Sequence, residues 1–162
     1  MRLSALGGPE GHPLHPFMVP LPIGAFVSSL ILDILTWTRP GELPWLVDGA
    51  YWLIGIGLIG AGVAAVFGLL DLLRIPRQTR SRRIALTHAA LNFGVAVLFL
   101  IGYAWRAGDH VELGKTGSGQ LALSAVAVGL LVVAVVLGQT LTYRFGIRVD
   151  RPAADERPAG RT

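Results

Sequence analysis

The chain has 162 residues, of which 52% are hydrophobic and only 15% charged, with a formal net charge of +4. Soluble domains carry about a quarter charged residues, so this balance points to a membrane protein. The chain has no cysteine, which excludes disulfides, thiolate metal sites, cysteine-ligated iron–sulfur clusters and a c-type haem attachment within it.

The first apolar run, residues 20–37, is entered through His12-Pro13-Leu14-His15-Pro16, with both histidines directly before a proline. A residue before proline is steered out of the α region, so His12 and His15 are expected to be extended. With about three residues per turn in polyproline geometry, the two imidazoles then point the same way. Pro20 and Pro22 fall in the expected first helical turn, where a missing N–H costs little. The run is long, contains Asp33 and is followed by no small-residue cleavage pattern, so it reads as a retained helix. Gly24 with Ser28, and Ala25 with Ser29, are small pairs at four-residue spacing, which lets helices approach closely in lipid. Asp33 continues that face. An ionisable residue inside a span ordinarily faces the bundle interior or water, while the nearness of Trp37 leaves an interfacial carboxylate as the plainer reading.

The connector from Trp37 to Gly49 has turn chemistry and two tryptophans. The second run, 51–73, carries two small-residue stripes, Gly60-Ala64-Gly68 and Gly57-Ala61-Ala65. Asp71 lies on the Gly68 face, and an ion pair with Arg74 is its simplest role. Arg74, Arg77, Arg80, Arg82 and Arg83 then form a loop read first as topogenic, with a lipid phosphate or nucleotide patch as the other reading. The third run, 84–105, places His88 and Asn92 four residues apart on the face of Ala85 and Ala96. His110 lies in a polar loop and reads as solvated. The fourth run, 121–143, has Ala134 and Gly138 as its close-packing pair and Gln139, Thr140, Thr142 and Tyr143 at its end.

Each run is long enough to span a hydrocarbon core of about 30 Å. Eleven arginines flank one side of the four spans, while only Arg39, Arg106 and Lys115 flank the other. The asymmetry places both termini and the arginine loop in the cytoplasm, with the tryptophans at the opposite interface. Topology and anionic lipid account for the positive charge, and no nucleic-acid partner is expected. The expected architecture is all-α: a four-helix membrane domain over 1–149, then a disordered cytoplasmic tail over 150–162.

This threading brings His15, Asp71, His88, Asn92 and Gln139 to one depth on the cytoplasmic side. The layer reads as a clasp fixing helix register, a proton or ion relay, a metal site, or the end of a haem pocket. For haem b, His15 and His88 supply the axial imidazoles and Arg74 or Arg77 the cations near the propionates. With His12 and Asp71 added, a divalent cation is served equally, and the spacing does not separate the two. No nucleophile–base pair, phosphate loop or paired-carboxylate site is present, so no catalytic activity of its own is expected.

The ordered set His12-Pro13-Leu14-His15-Pro16, Val19-Pro20-Leu21-Pro22-Ile23-Gly24 with Asp33, Ala50-Tyr51-Trp52-Leu53, Gly68-Leu69-Leu70-Asp71-Leu72-Leu73-Arg74-Ile75-Pro76, Ala85-Leu86-Thr87-His88-Ala89-Ala90-Leu91-Asn92 and Tyr143-Arg144-Phe145-Gly146-Ile147 resembles the bacterial membrane family labelled DUF2231. The resemblance implies a four-helix inner-membrane domain, joined in some relatives to Rieske-type or cytochrome modules, with His12, His15, Asp33, Asp71 and His88 as its motif residues. Relatives often carry histidine where this chain has Phe145, so any role of that histidine is lost here. The leading expectation is a membrane subunit of an electron-transfer or quinone-linked system, served by a separate redox partner protein. The alternatives are a structural or accessory protein held by the polar clasp, and a small ion or proton conductor using Asp33 and Asp71. Small-residue helix faces also allow a homo-oligomer.

Overall fold

The computed structural model describes residues 14–107 and 115–147. A short helix α1 (Leu14–Met18) leads into α2 (Pro20–Thr38), followed by α3 (Trp45–Arg74), α4 (Arg80–Arg106) and α5 (Ser118–Gln139), which closes on a π-helical turn, Thr140–Arg144. Four spans result, His15–Thr38, Trp45–Arg74, Arg80–Arg106 and Ser118–Arg144, of 24, 30, 27 and 27 residues. At about 1.5 Å per residue each crosses a bilayer. The chain is therefore an all-α, four-helix membrane-spanning bundle.

The helices outrun the apolar segments because backbone hydrogen bonding does not stop where the side chains turn polar. Trp45, expected in the connector, opens α3. At the other end Thr79 caps α4, accepting from Arg82 N–H at 3.2 Å. Arg82 has a structural role besides topology: its Nη1 donates to the carbonyls of Leu72 and Ile75 at 2.9 and 2.8 Å, satisfying the end of α3. The expected extended lead is also corrected at His15, which is helical. Pro16 falls in the first turn of α1, where no N–H is needed, and Val19 N–H donates to His15 C=O at 3.1 Å, carrying the chain into α2. His12 and the tail 150–162 lie outside the described residues.

In cyclic order α2 packs on α3, α3 on α4, α4 on α5 and α5 on α2, so α2 and α4 face each other diagonally. Their rings meet at the centre, where Phe26 and Phe99 stack with centroids 3.9 Å apart and planes 5° from parallel. Ile54, Val95, Ala127 and Leu131 complete this core. Ile31, Ile59, Val66, Phe93, Leu100 and Val132 are exposed on the outside and form the hydrocarbon-facing surface. Trp37, Trp45, Trp52 and Trp105 are exposed at one end, opposite the arginine loop.

The bundle is a parallel internal repeat that hydropathy and short motifs do not reveal. His15 and His88, Phe26 and Phe99, and Asp33 and Arg106 are each separated by 73 residues. All three pairs meet across the bundle. Ala64 and Ala134, and Gly68 and Gly138, keep a spacing of 70 residues in the second helix of each half. Burial follows the same register, with Pro22 and Val95, Ser29 and Gly102, and Ile54 and Ser124 buried in both copies. Such a repeat implies a pseudo-two-fold axis along the membrane normal, and the three self-facing pairs of α2 and α4 mark its course.

Of the expected small pairs, Ala25 with Ser29 is buried, whereas Gly24 is exposed. A β-carbon at Gly57 would lie 2.5 Å from the Phe26 ring. Gly57→Leu is therefore expected to cost ~1–3 kcal/mol and to lower the melting midpoint of the helical circular-dichroism signal in detergent. Gly24→Ala, which meets nothing within 4 Å, leaves that midpoint unchanged.

Candidate functional site

At the arginine-flanked end, His15 from α1 and His88 from α4 approach with ring centroids 6.4 Å apart and planes at 89°. Each is anchored in the same way. His15 Nδ1 lies 2.8 Å from the Ala64 carbonyl, and His88 Nδ1 lies 2.7 Å from the Ala134 carbonyl. A carbonyl only accepts, so both rings donate from a protonated Nδ1, and Nε2 is left as the second nitrogen of each. The seat of each ring is a glycine four residues further along. An added β-carbon at Gly68 would lie 3.0 Å from His15 Cε1, and one at Gly138 the same distance from His88 Cε1. The Ala-x-x-x-Gly spacing in α3 and α5 thus presents a carbonyl to the ring edge and an open floor to its carbon.

Asn92, one turn beyond His88, donates from Nδ2 to the His88 carbonyl at 2.8 Å. The same nitrogen lies 3.4 and 3.3 Å from the two His88 ring nitrogens. That near-equal approach places the amide over the ring face. Asp71 is paired with Arg74 at 3.6 Å, the simpler of the roles expected for it. Gln139 is exposed, because the inward face of α5 runs through Ala127, Leu131 and Ala134. Of the expected five residues, His15, His88 and Asn92 thus lie together, with Gln139 exposed. Among the described residues, no group of three or more His, Cys, Asp or Glu side chains is placed to hold a metal ion.

Asp33 lies toward the tryptophan-flanked end, fully buried, and answers to a charge whose place in the sequence suggests topology alone. Arg106 Nη2 donates to Asp33 Oδ2 at 2.7 Å, and both side chains are almost completely enclosed. Ser124 donates to the same oxygen at 2.8 Å, and Thr116 donates to Oδ1 at 3.0 Å. Thr116 and Thr36 share a 2.8 Å hydrogen bond, and Arg106 Nη1 reaches the Gly102 carbonyl at 3.2 Å. Among the described residues no buried side-chain nitrogen or oxygen lacks a partner. The spacing is the available signal, since Arg106 follows Asp33 by the interval that separates His88 from His15.

The two ends are separated by an apolar layer. Phe26, Ile54, Val95 and Phe99 are each at most 2% exposed and carry no side-chain polar atom. The histidine pair and the ion pair are therefore distinct centres on one axis.

No significant match was found among curated proteins or solved structures. The family described as "Predicted membrane protein (DUF2231)" matches residues 11–151 of the 162. That match and the four apolar spans make this a bacterial multi-pass membrane protein consistent with the inner membrane, and the chain belongs to the DUF2231 family.

Proposed function

We propose that the protein is a membrane subunit of an electron-transfer system, in which His15 and His88 hold a transition-metal centre, with haem b as the principal reading. The observation that carries this is the histidine pair on the bundle axis. Two imidazoles that share one metal ion at bonds of about 2.0–2.1 Å must lie close together, and here the ring centroids are 6.4 Å apart with planes at 89°. Metal-bound histidines commonly donate their other N–H to a carbonyl, which fixes the tautomer and raises ligand basicity. Both histidines have that partner already.

When bound, haem would supply the one-electron couple, and His15 and His88 would hold it. The chain would supply the two histidine nitrogens and an apolar surround on the side of Phe26 and Phe99. Arg74, which also pairs with Asp71, or Arg77 would suit the propionates from the same end. The apolar layer favours this reading over ion conduction, which needs polar groups or water along the axis. A second reading, a register clasp, draws on the same two bonds, since each joins one helix to the next. In the proposed orientation the histidine end and both termini face the cytoplasm, where a redox partner protein meets it.

Protein gently extracted from its native membrane is expected to show a Soret band and, with dithionite, sharpened α and β bands, with iron in stoichiometric amount by metal analysis. His15→Ala and His88→Ala each abolish these bands, and Gly138→Val weakens them by pushing His88 from its seat. Bands unchanged in His88→Ala would refute the ligand assignment. A featureless spectrum without stoichiometric metal, combined with a lowered melting point in that variant, would favour the clasp.

Orientation has its own test, made clean by the absence of native cysteine. Ser81→Cys is expected to react with an impermeant maleimide in inverted membrane vesicles and to stay unlabelled in intact cells.

A further inference from the structure

The two hairpins of the repeat, α2 with α3 and α4 with α5, present inner faces of the same design. Pro22, Phe26 and Ser29 stand where Val95, Phe99 and Gly102 stand in the other half. Gly57 and Ala64 likewise match Ala127 and Ala134. Faces so alike also fit their own equivalents on a second copy of the chain. At the histidine and phenylalanine levels such pairing would juxtapose identical residues, as the native bundle already does. Only the third axial level differs, with Asp33 on one side and Arg106 on the other.

We infer that the Asp33–Arg106 pair is the specificity determinant that makes a first hairpin close on a second and excludes the pairing of like hairpins from two copies of the chain. Pairing of first hairpins would bring two aspartates together in a dry interior, and pairing of second hairpins two arginines. Like charges in such a medium repel with little screening. An independent observation agrees. Asp33 accepts from Ser124 of the opposite hairpin, whereas the equivalent of Ser124 in the first hairpin is Ile54, which has no hydroxyl to donate. The carboxylate is therefore satisfied only in the native combination. A buried polar group that fixes register and partner choice is the best attested use of such pairs.

The test uses the full chain, purified in detergent, with monomer yield and mass read by size exclusion with light scattering and folding by thermal melting. Asp33→Arg alone and Arg106→Asp alone leave like charges at this level in every pairing and are expected to reduce folded monomer by about tenfold or more. The exchange Asp33→Arg with Arg106→Asp restores opposition across the axis and is expected to recover monomer to within about threefold of the native yield, the range left by an imperfect local fit. A further variant adds Ile54→Ser and Ser124→Ile to that exchange, moving the hydroxyl to the side where the carboxylate now stands, and is expected to recover at least as much. The inference is overturned if neither exchanged protein recovers more monomer than the single variants. It is equally overturned if both single variants remain monomeric with native melting.

Discussion

A carboxylate enclosed at the centre of a lipid-embedded bundle persists only when its charge and lone pairs are answered from within the protein, and Asp33 sets that condition here. Its partners come from distant parts of the chain: Arg106 at the end of α4, Ser124 in α5 and Thr116 in the approach to α5. Satisfying one residue of α2 therefore fixes the depth of α4 and α5 relative to it. Once that depth is set, the Phe26 and Phe99 rings fall at the same level, as do the His15 and His88 rings.

Close approach of the helices is the complementary condition. Lipid tails are as apolar as leucine, so association relies on packing and internal hydrogen bonds, and small residues let backbones draw near. Gly57 admits the Phe26 ring, while Gly68 and Gly138 admit the two imidazoles. The glycines that close the bundle at its middle and its histidine end are thus also the ones that seat its aromatic and imidazole rings.

Much of the architecture is legible in the sequence, because hydropathy, arginine placement and small-residue spacing each report on a single helix. The four spans, the Ala25–Ser29 face and the Ala134–Gly138 pair are readable for that reason, as is Asp33 on the packing face. What the sequence hides depends on relations between helices. Arg106 looks topogenic because its position at a span end fits that role, and only its interval from Asp33 marks it as internal. Gln139 shares the depth of His88, yet depth does not fix azimuth, and the residue is exposed. At His15 the local bias before proline favours an extended backbone, which the first turn of α1 and the Ala64 carbonyl override.

The long interval between Asp33 and Arg106 has a consequence for biogenesis. The two residues are 73 positions apart, and chains elongate at about 5–20 residues per second. Asp33 is therefore synthesised roughly 4 to 15 s before its arginine. The carboxylate lies one helical turn from Trp37, so without its partners it would be within reach of the polar headgroup region and its water. Placing the ion pair near a membrane boundary, and not at mid-depth beside the phenylalanines, keeps the half-made protein tolerable to the bilayer. The first hairpin can then wait with its carboxylate in reach of water until the second one encloses it.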